Sequence, residues 1–283
     1  MTPTPSVKTA DLWAADPSLW RCLDCGGGLI ADANADALAC PSCGRAYPIV
    51  DGVLVARAET SANNQVARDF YDGPLWPKFR FWEWATFVMN GGERRSRDKI
   101  LRHLPKGENL RLLDVAIGDG VYLDWLPPSW SIAGIDISQY QLDNCKRRRG
   151  TRDLKLVMGE AEDLPFNDRT FDCALSIGGF NYFNDPEKSL REMARVVKPG
   201  GTIVVADEVP NLTDRMLFRK IGLPGVDRWI ISKGLKLGDA FTDMVERYRD
   251  MDIAAIGERV LPGSRYELIW REVGYVLVGQ APG

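Results

Sequence analysis

Short apolar runs alternate with longer amphipathic stretches over the second part of the chain. From Leu110 onward, five runs are rich in β-branched residues and have the length of single strands: RLLDVAI, SIAGIDI, LKLVMGE, FDCALSI and GTIVVADEV. The segments SQYQLDNCKRRRG and DPEKSLREMARVVKPGG, which lie between these runs, have apolar residues at helical spacing. This alternation predicts a parallel sheet with crossover helices on its faces.

The last part of the chain predicts two further strands and a cap. DIAAIGERVL and YELIWREVGYVLVG are interpreted as late strands, which bring the predicted sheet to seven strands, most of them parallel. Residues 211–251 contain two amphipathic helical stretches around a Gly/Pro break and are predicted to cap the sheet. We therefore divide the chain into a small module at 1–57, a linker and aromatic helical region at 58–109, and a doubly wound α/β domain at 110–283.

Four of the six cysteines form two closely spaced pairs in the small module. Fourteen residues separate Cys22-x2-Cys25 from Cys40-x2-Cys43, and glycines follow each pair. Two such knuckles direct four thiolates at one metal ion, as in structural zinc ribbons. Because cysteine fills all four positions, the predicted Zn²⁺ is structural and not catalytic, and it would stabilise a module with little core of its own. The alternatives are redox-active pairing and simple burial.

Composition and charge narrow the class of protein. The chain is 45% hydrophobic and 27% charged, as folded soluble domains are. No apolar run approaches the roughly 18–20 residues that span a bilayer. Asp11 and Asp16 interrupt the stretch where a signal peptide would be apolar, so we expect a cytoplasmic protein. A net charge of −3 gives no overall field that attracts nucleic acid, which remains a possible but unfavoured partner.

An aromatic stretch precedes the α/β domain. FYDGPLWPKFRFWEWATF, residues 70–87, has eight aromatic side chains among eighteen residues. The favoured interpretation is a helix that packs on the next domain. The second interpretation is an aromatic lid over a bound ligand, because ligand pockets are lined by apolar side chains.

Two features at the ends of the first strands indicate a ligand with a ribose. RLLDVAI leads directly into Gly118-Asp119-Gly120, where glycine lets the backbone approach a ligand closely. Asp136 ends the second strand, twenty-two residues after Asp114. Nucleotide-binding α/β domains have at this position a carboxylate that accepts hydrogen bonds from ribose hydroxyls.

Four sequence blocks in this order resemble a known family. LLDVAIGDG, GIDIS, GEAEDLPFNDRTFDCALS and EMARVVKPGGTIVVAD are similar to the motifs of class I S-adenosylmethionine-dependent methyltransferases, in the branch of the ubiquinone and menaquinone biosynthesis C-methyltransferases. The resemblance covers Leu110 to Glu208 well. It implies a Rossmann-like methyltransferase fold, S-adenosyl-L-methionine as cofactor and methyl transfer as the activity.

The resemblance also implies the residues of the cofactor site. Asp136 would hold the ribose, Glu160 would accept a hydrogen bond from the adenine amino group, and Asp114 would fix the glycine loop. The full set of implied contacts is Asp114, Ala116, Gly118, Asp119, Asp136, Ile137, Glu160, Ala161 and Ile177. The alternative for Asp136 and Glu160 is an ordinary carboxylate that caps the following turn or helix.

Two residues of the loop depart from the motif. Ala116 stands where the first glycine is usual, and Ile117 is a bulky residue in a loop normally built from small ones. Ile117 therefore calls the geometry of the loop into question.

No catalytic residue is assigned from the sequence. The methyl group on a sulfonium is already an electrophile, so the protein mainly aligns the acceptor in a pocket with little water. A general base would help a phenol or an enol. His103 precedes the first strand and is expected at the surface or a helix end, whereas Tyr71, Tyr182 and Asp207 are expected nearer the mouth of the site. Cys145 and Cys173 are expected to be packing residues.

Three functions remain open at this stage. The favoured one is methylation of a small, partly apolar or aromatic acceptor, with the ribbon as a structural or protein-binding module. The second is RNA base methylation, because the ribbon resembles those of methyltransferase activator proteins and of rRNA methyltransferases. Against it, the ribbon has only two basic residues, Arg21 and Arg45, to contact phosphates. The third is a non-catalytic scaffold that binds the cofactor and recruits a partner.

Overall fold

The computed structural model describes residues 9–14, 16–60, 62–74, 76, 80, 84, 87–215, 220–234 and 238–283. Strands in this part of the chain are β1 (Ile30–Ala31), β2 (Ala37–Ala39), β3 (Ala46–Val50), β4 (Val53–Val55), β5 (Arg111–Val115), β6 (Ser131–Asp136), β7 (Leu154–Met158), β8 (Phe171–Ile177), β9 (Val197–Glu208), β10 (Arg265–Ile269) and β11 (Gly274–Gln280). They pair in one sheet in the order β1-β2-β3-β4-β7-β6-β5-β8-β9-β11-β10.

The central strands are parallel, as the sequence predicts. β5 pairs in parallel with both β6 and β8, and the flanking pairs β6–β7 and β8–β9 are parallel too. Strand order therefore reverses direction between β5 and β8. At such a point the connections leave to opposite sides, and a crevice forms beyond the carboxyl ends of the strands.

Helices cover the sheet, and three of the described ones begin at a side-chain cap. The described helices are α1 (Thr9–Ala14), α2 (Ala62–Tyr71), α3 (Glu93–Leu101), α4 (Gln139–Arg148), α5 (Pro186–Val196), α6 (Pro224–Trp229), α7 (Asp239–Tyr248) and α8 (Ile253–Val260), with single 3₁₀ or π turns at Val121–Trp125, Phe180–Tyr182, Leu212–Arg215 and Ile230–Gly234. Ser138 caps α4 and Asp185 caps α5, each accepting from a backbone N–H of the first turn. None of the described helices has the length and apolar character needed to cross a bilayer.

The tail differs from the prediction in one element. The prediction of a strand over DIAAIGERVL is wrong, because these residues form α8, which the Asp252 side chain caps. Ile253, Ile256 and Val260 are buried at helical spacing, but they are β-branched, and a short run of such residues is also typical of a strand. The stretch YELIWREVGYVLVG supplies two strands instead of one, the hairpin of β10 and β11. β11 pairs antiparallel with β9, so β5 to β11 still make seven strands.

The small N-terminal module is built into the main sheet. β4 pairs in parallel with β7, joining Val53 to Leu156 and Val55 to Met158. The last two residues of the module continue this contact, since the N–H groups of Ala56 and Arg57 both donate to the Met158 carbonyl, at 3.0 and 3.1 Å. The module thus covers an edge of β7 that would otherwise present unpaired backbone groups.

The module and the α/β domain also share one hydrophobic core. Trp20 is fully buried, stacks on Trp13 at 5.4 Å and contacts Phe166 from the α/β domain. The same cluster of buried residues continues from Leu38 and Tyr47 in the module to residues of the central strands. A defect in the module should therefore weaken the whole fold.

Candidate functional site

A cavity of about 350 Å³ lies at the carboxyl ends of the parallel strands, where the strand order reverses. It extends from Gly159 and Ala161, after β7, to Asp207 and Glu208 at the end of β9. Adjacent strands are about 4.8 Å apart, so the cavity crosses four strand spacings, about 19 Å. The cavity is therefore elongated along the edge of the sheet.

The loop after β5 forms the floor of the cavity. The N–H groups of Ala116 and Ile117 both donate to the Ile135 carbonyl, at 2.9 and 3.2 Å, which extends the β5–β6 ladder into the loop. Gly118 then has a φ of 57°, and a side chain there would point into open space. The backbone at Gly118 is therefore open to the cavity, and its contact with a cofactor stays a prediction.

Ile117 fits the loop because β6 provides a space for it. Its side chain is buried and lies over Gly134. A Cβ atom at Gly134 would meet the Ile117 side chain at 2.5 Å, closer than real contacts allow. The bulky residue that called the loop into question is thus part of a matched pair, in which Gly134 leaves room for Ile117.

Ala116 holds a left-handed conformation at the turn. Its φ is 61°, a region that disfavours a side chain by about 1–2 kcal/mol. The Ala116 methyl group lies against Gly179, where a Cβ atom would come within 2.6 Å. Glycine at 179 therefore lets alanine occupy the position of the usual first glycine.

Asp136 pins the loop to the second strand. One of its carboxylate oxygens accepts from the Gly118 N–H at 2.8 Å, and the other accepts from the Ser138 N–H at 2.9 Å. Burial raises the pKa of Asp136 to about 6, although these donors favour its charged form. The capping interaction foreseen as an alternative is thus present. It leaves lone pairs of both oxygens available to ribose hydroxyls, so the ribose role stays a prediction.

Asp114 is a second buried carboxyl in the floor of the cavity. Burial raises its pKa to about 8, and the charge of Asp136 adds to this effect. Like Asp136, it lines the cavity. Asp119, the third predicted acid, accepts from Arg80 at 2.9 Å.

Of the two residues predicted to contact adenine, Glu160 and Ala161, the structure places only one in the described lining of the cavity. Ala161 lines the cavity, as do the predicted contacts Ile137 and Ile177, but Glu160 is not among the described lining residues. Instead, the Glu160 carboxylate accepts from Asn64 Nδ2 at 3.0 Å and lies 3.7 Å from Arg57 Nε. Arg57 is the last residue of the N-terminal module and Asn64 lies seven residues after it, so Glu160 links the end of that module to the rim of the site.

Gln141 is a cavity residue that the sequence interpretation missed. It lies in the first turn of α4, is 1% exposed and lines the cavity. Neither its Oε1 nor its Nε2 has a hydrogen-bond partner in the described structure. A buried amide without partners is unfavourable, so Gln141 is suited to contact a polar ligand group beside Asp136. Only its position five residues after Asp136 offered a signal.

The other end of the cavity combines carboxylates with aromatic walls. Asp207 accepts from the N–H groups of Asn181 and Glu208, and burial raises its pKa to about 7. Glu208, which the sequence interpretation did not single out, accepts a hydrogen bond from the Tyr182 hydroxyl. Tyr71 donates to the Gly178 carbonyl at 2.9 Å. The predicted candidates Tyr71, Tyr182 and Asp207 therefore all line the cavity, without a demonstrated role.

Four described aromatic residues of the 70–87 stretch line this end of the cavity: Phe70, Tyr71, Trp76 and Phe87. Trp84 is 53% exposed and is not among the described lining residues, and residues 75, 77–79, 81–83 and 85–86 lie outside the described ones. The packing helix and the aromatic lid both stay predictions. Trp270, in the β10–β11 hairpin, stacks edge-on against Phe87 at 5.4 Å and completes the wall.

The four cysteines of the module meet at one point. The Sγ atoms of Cys22, Cys25, Cys40 and Cys43 all lie within 4.8 Å of one another. Four sulfurs bound tetrahedrally to zinc at about 2.3 Å are about 3.8 Å apart, so the cluster fits this ion. Cys145 and Cys173 are buried elsewhere, as predicted for packing residues.

His103 has no place in the site. It follows α3, lies 3.9 Å from the Glu267 carboxylate and is not among the described residues that line the cavity. Burial lowers its pKa.

Comparison with known proteins agrees with both parts of the chain. A methyltransferase domain model matches residues 113–205, and a Trm112p-like protein model matches residues 21–52. The demethylmenaquinone methyltransferase of Thermus thermophilus is 32% identical over 205 residues, which are 67% of this chain and 89% of that protein. The chain belongs to the S-adenosylmethionine-dependent methyltransferase family.

Other relatives of this methyltransferase are matched over a shorter length. The demethylmenaquinone methyltransferase of Renibacterium salmoninarum is 36% identical over 41% of this chain, and the chain spans about half of that protein, 49%. A solved complex between the Haloferax volcanii Trm112 methyltransferase activator and a methyltransferase aligns with 72% of this chain and 96% of the matched chain, at 21% identity and a TM-score of 0.45.

We expect Gly134→Ala to destabilise this methyltransferase by about 1–3 kcal/mol, because the added methyl group overlaps Ile117. Ile117→Ala alone should destabilise by about 2–5 kcal/mol through a cavity. The double variant should lose less than the sum of the two, as measured by urea unfolding. Gly225→Ala, where a Cβ atom meets nothing within 4 Å, is the control. Strictly additive losses of stability would contradict the match between Gly134 and Ile117.

We expect stability to fall with rising pH through Asp114. Its folded pKa of about 8 lies above the ordinary 3.8, so its contribution is complete below the ordinary value and is lost as pH rises through the folded one. Asp114→Asn should remove on the order of 1–3 kcal/mol of the stability difference between about pH 5 and pH 8, measured by urea unfolding. Exposed Asp98→Asn should leave the wild-type slope. An unchanged slope in Asp114→Asn would refute this assignment.

Proposed function

We propose that this protein transfers a methyl group from S-adenosyl-L-methionine to a small, partly apolar or aromatic acceptor. The observation that carries the proposal is the continuity of the cavity. One end has a pinned glycine loop with Asp136 and Gln141, and the other has aromatic walls with Glu208 and Tyr182. Family membership supports S-adenosyl-L-methionine as the methyl donor. The polar groups of the first end suit this donor, and the aromatic walls of the second end suit the acceptor.

The acidic lining of the cavity suits a cationic cofactor, because a bound cation favours the ionised form of nearby carboxyl groups. Its described lining includes five carboxyl residues but a single guanidinium, Arg80, which is paired with Asp119: the acids are Asp114, Asp119, Asp136, Asp207 and Glu208. S-adenosyl-L-methionine supplies a methyl group on a positively charged sulfonium and also carries an ammonium. Buried carboxylates stabilise such charges where water is excluded.

The nucleoside would bind at the β6 and β7 end. Asp136 is suited to accept hydrogen bonds from ribose hydroxyls, while Gln141 Nε2 can donate to a ribose oxygen and its Oε1 can accept. Ile137 and Ala161 provide apolar contact for a flat base. Glu160 would reach an adenine amino group only after leaving Asn64 or sharing the interaction with it.

The acceptor would bind among the aromatic side chains. Phe87, Trp270 and Phe183 are lining residues that favour a planar or apolar molecule. The relatives of this chain include demethylmenaquinone and fatty-acid methyltransferases, whose names indicate acceptors of this kind. For an acceptor with an acidic hydroxyl, Glu208 can take the proton through or beside the Tyr182 hydroxyl.

The test separates binding from turnover. We expect S-adenosyl-L-methionine to bind wild-type protein in calorimetry, and Gln141→Leu to weaken it about 3–10-fold because one or two hydrogen bonds are lost. Gln139→Leu, a partly exposed neighbour on the same helix, is the matched control. Equal weakening in both variants would reject Gln141 as a contact, and no binding by folded wild type would favour a role without the cofactor.

Turnover is then measured with labelled cofactor against phenols, quinols, fatty acids and RNA. Glu208→Gln should lower the rate with a hydroxylated acceptor while cofactor affinity stays unchanged. If RNA is methylated and none of the small molecules is, the function is RNA methylation and not methylation of a small acceptor. Cofactor binding without turnover on any acceptor would support a partner-recruiting scaffold, in which the Trm112p-like module contacts another protein.

We also infer that the cysteine cluster holds a structural Zn²⁺. Cys40→Ser should lose the metal, measured as zinc per chain, and should lower the unfolding midpoint of the whole protein, because the module shares its core with the α/β domain. Cys145→Ser, at a buried cysteine outside the cluster, should keep its zinc. Full zinc content in Cys40→Ser, or loss in both variants, would reject the four-cysteine site.

A further inference from the structure

Asn64 is a buried polar residue near the end of the cavity that Ala161 lines. It lies in the first turn of α2, is 2% exposed and is one of the described residues that line the cavity. Ala67 and Tyr71, three and seven residues further along α2, line the cavity as well. Residues at these spacings share one face of a helix, so Asn64 is on the face of α2 that borders the cavity.

Two carboxylates fix the orientation of the Asn64 amide. Its Nδ2 donates to Glu160 Oε1 at 3.0 Å and to Glu162 Oε2 at 3.1 Å. A carboxylate only accepts hydrogen bonds, so the nitrogen of the amide, and not its oxygen, faces these two acids. Neither Glu160 nor Glu162 is among the described residues that line the cavity. The nitrogen is therefore directed at groups behind the lining.

The amide oxygen of Asn64 is left for a ligand. In the described structure, the hydrogen bonds of this side chain all use Nδ2, and Oδ1 accepts none. The neighbouring Asn63 differs, because its Nδ2 donates to the Tyr248 hydroxyl and its Oδ1 accepts from Arg247 Nη1 at 2.7 Å. An acceptor in a nearly buried side chain that no described protein group uses is suited to a donor on a bound molecule.

The position of this oxygen suits an amino group on a purine ring. Ala161, which lies in the chain between the two acids that hold Asn64, is the predicted adenine contact that lines the cavity. Glu160, the acceptor that the sequence resemblance implies for the adenine amino group, is engaged by Asn64 and lies 3.7 Å from Arg57 Nε. Asn64 thus reaches the lining of the cavity where Glu160 does not.

We propose that the Asn64 oxygen accepts a hydrogen bond from the amino group of the adenine, and that Glu160 and Glu162 position the Asn64 amide for this contact. The proposal rests on the proposed function, since the adenine is that of S-adenosyl-L-methionine. Asn64 then selects a purine with an amino group over one without it. The contact comes from the helix that follows the N-terminal module and lies outside residues 110–208, the part of the chain that carries the family motifs.

The test is calorimetry with S-adenosylhomocysteine and with its counterpart that has hydrogen in place of the purine amino group. Neither ligand has a methyl group to transfer, so the measurement does not depend on turnover. We expect wild-type protein to bind the amino ligand about tenfold more tightly, because its counterpart leaves Oδ1 without a donor. Asn64→Ala should bring the two dissociation constants to within about twofold of each other, since the acceptor is removed. Because both ligands are compared within one variant, a general loss of affinity does not change this ratio.

Two further variants separate Asn64 from its neighbours. Glu160→Ala should keep the preference for the amino ligand, because Glu162 still holds the Asn64 nitrogen. Asn63→Ala is the matched control, since Asn63 is buried as well but is not among the described lining residues, and it should also keep the preference. Loss of the preference in Glu160→Ala would assign the contact to Glu160 and overturn the proposal, whether or not Asn64→Ala folds. Equal loss in Asn63→Ala would overturn it too.

The ligands also separate this proposal from the proposed function. A preference that persists in Asn64→Ala would overturn the Asn64 contact alone, because the adenosyl ligand would still bind. No binding of S-adenosylhomocysteine by folded wild-type protein would overturn the cofactor assignment and the Asn64 contact together.

Discussion

The Asp136 carboxylate organises the site, because it joins three parts of the chain. Its two oxygens accept backbone N–H groups from the loop after β5 and from the start of α4. These two bonds fix the loop at the point where the strand order reverses, and so set the position of the exposed Gly118 backbone. The carboxyl remains buried, which raises its pKa to about 6. An acid under this penalty is well placed to gain from a ligand that donates hydrogen bonds or carries positive charge.

Two glycines leave space for the bulkier side chains of the loop after β5. Gly134 leaves space for Ile117, and Gly179 leaves space for the left-handed Ala116. Strain recurs at the other end of the cavity, where Trp270, Arg271 and Glu272 have consecutive φ values of 52°, 57° and 69°. Conformations of this kind persist where the surrounding contacts hold them, and they concentrate near functional sites. Here the strained turn carries Trp270, which completes the aromatic wall.

The N-terminal module is an extension of the central sheet. Pairing of β4 with β7 covers the sheet edge, and Trp20 is buried in the hydrophobic core that the module shares with the α/β domain. The chain leaving the module then supplies Arg57 and Asn64 to Glu160 at the rim of the cavity. A defect in the module is thus expected to reach the rim of the cavity through backbone pairing and shared packing. The module has few basic residues, which is consistent with this internal role.

The sequence alone determined the parallel core, the four-cysteine cluster and the glycine loop after β5. These depend on local signals: β-branched runs, paired cysteines, and glycine or aspartate at the end of a strand. It failed at α8, whose apolar residues fit either period, and it could not find Gln141, Glu208 or the match of Ile117 with Gly134. Those features depend on which side chains meet across strands and helices. Burial, missing hydrogen-bond partners and the pairing of β4 with β7 arise only from long-range contacts, so only the tertiary structure decided them.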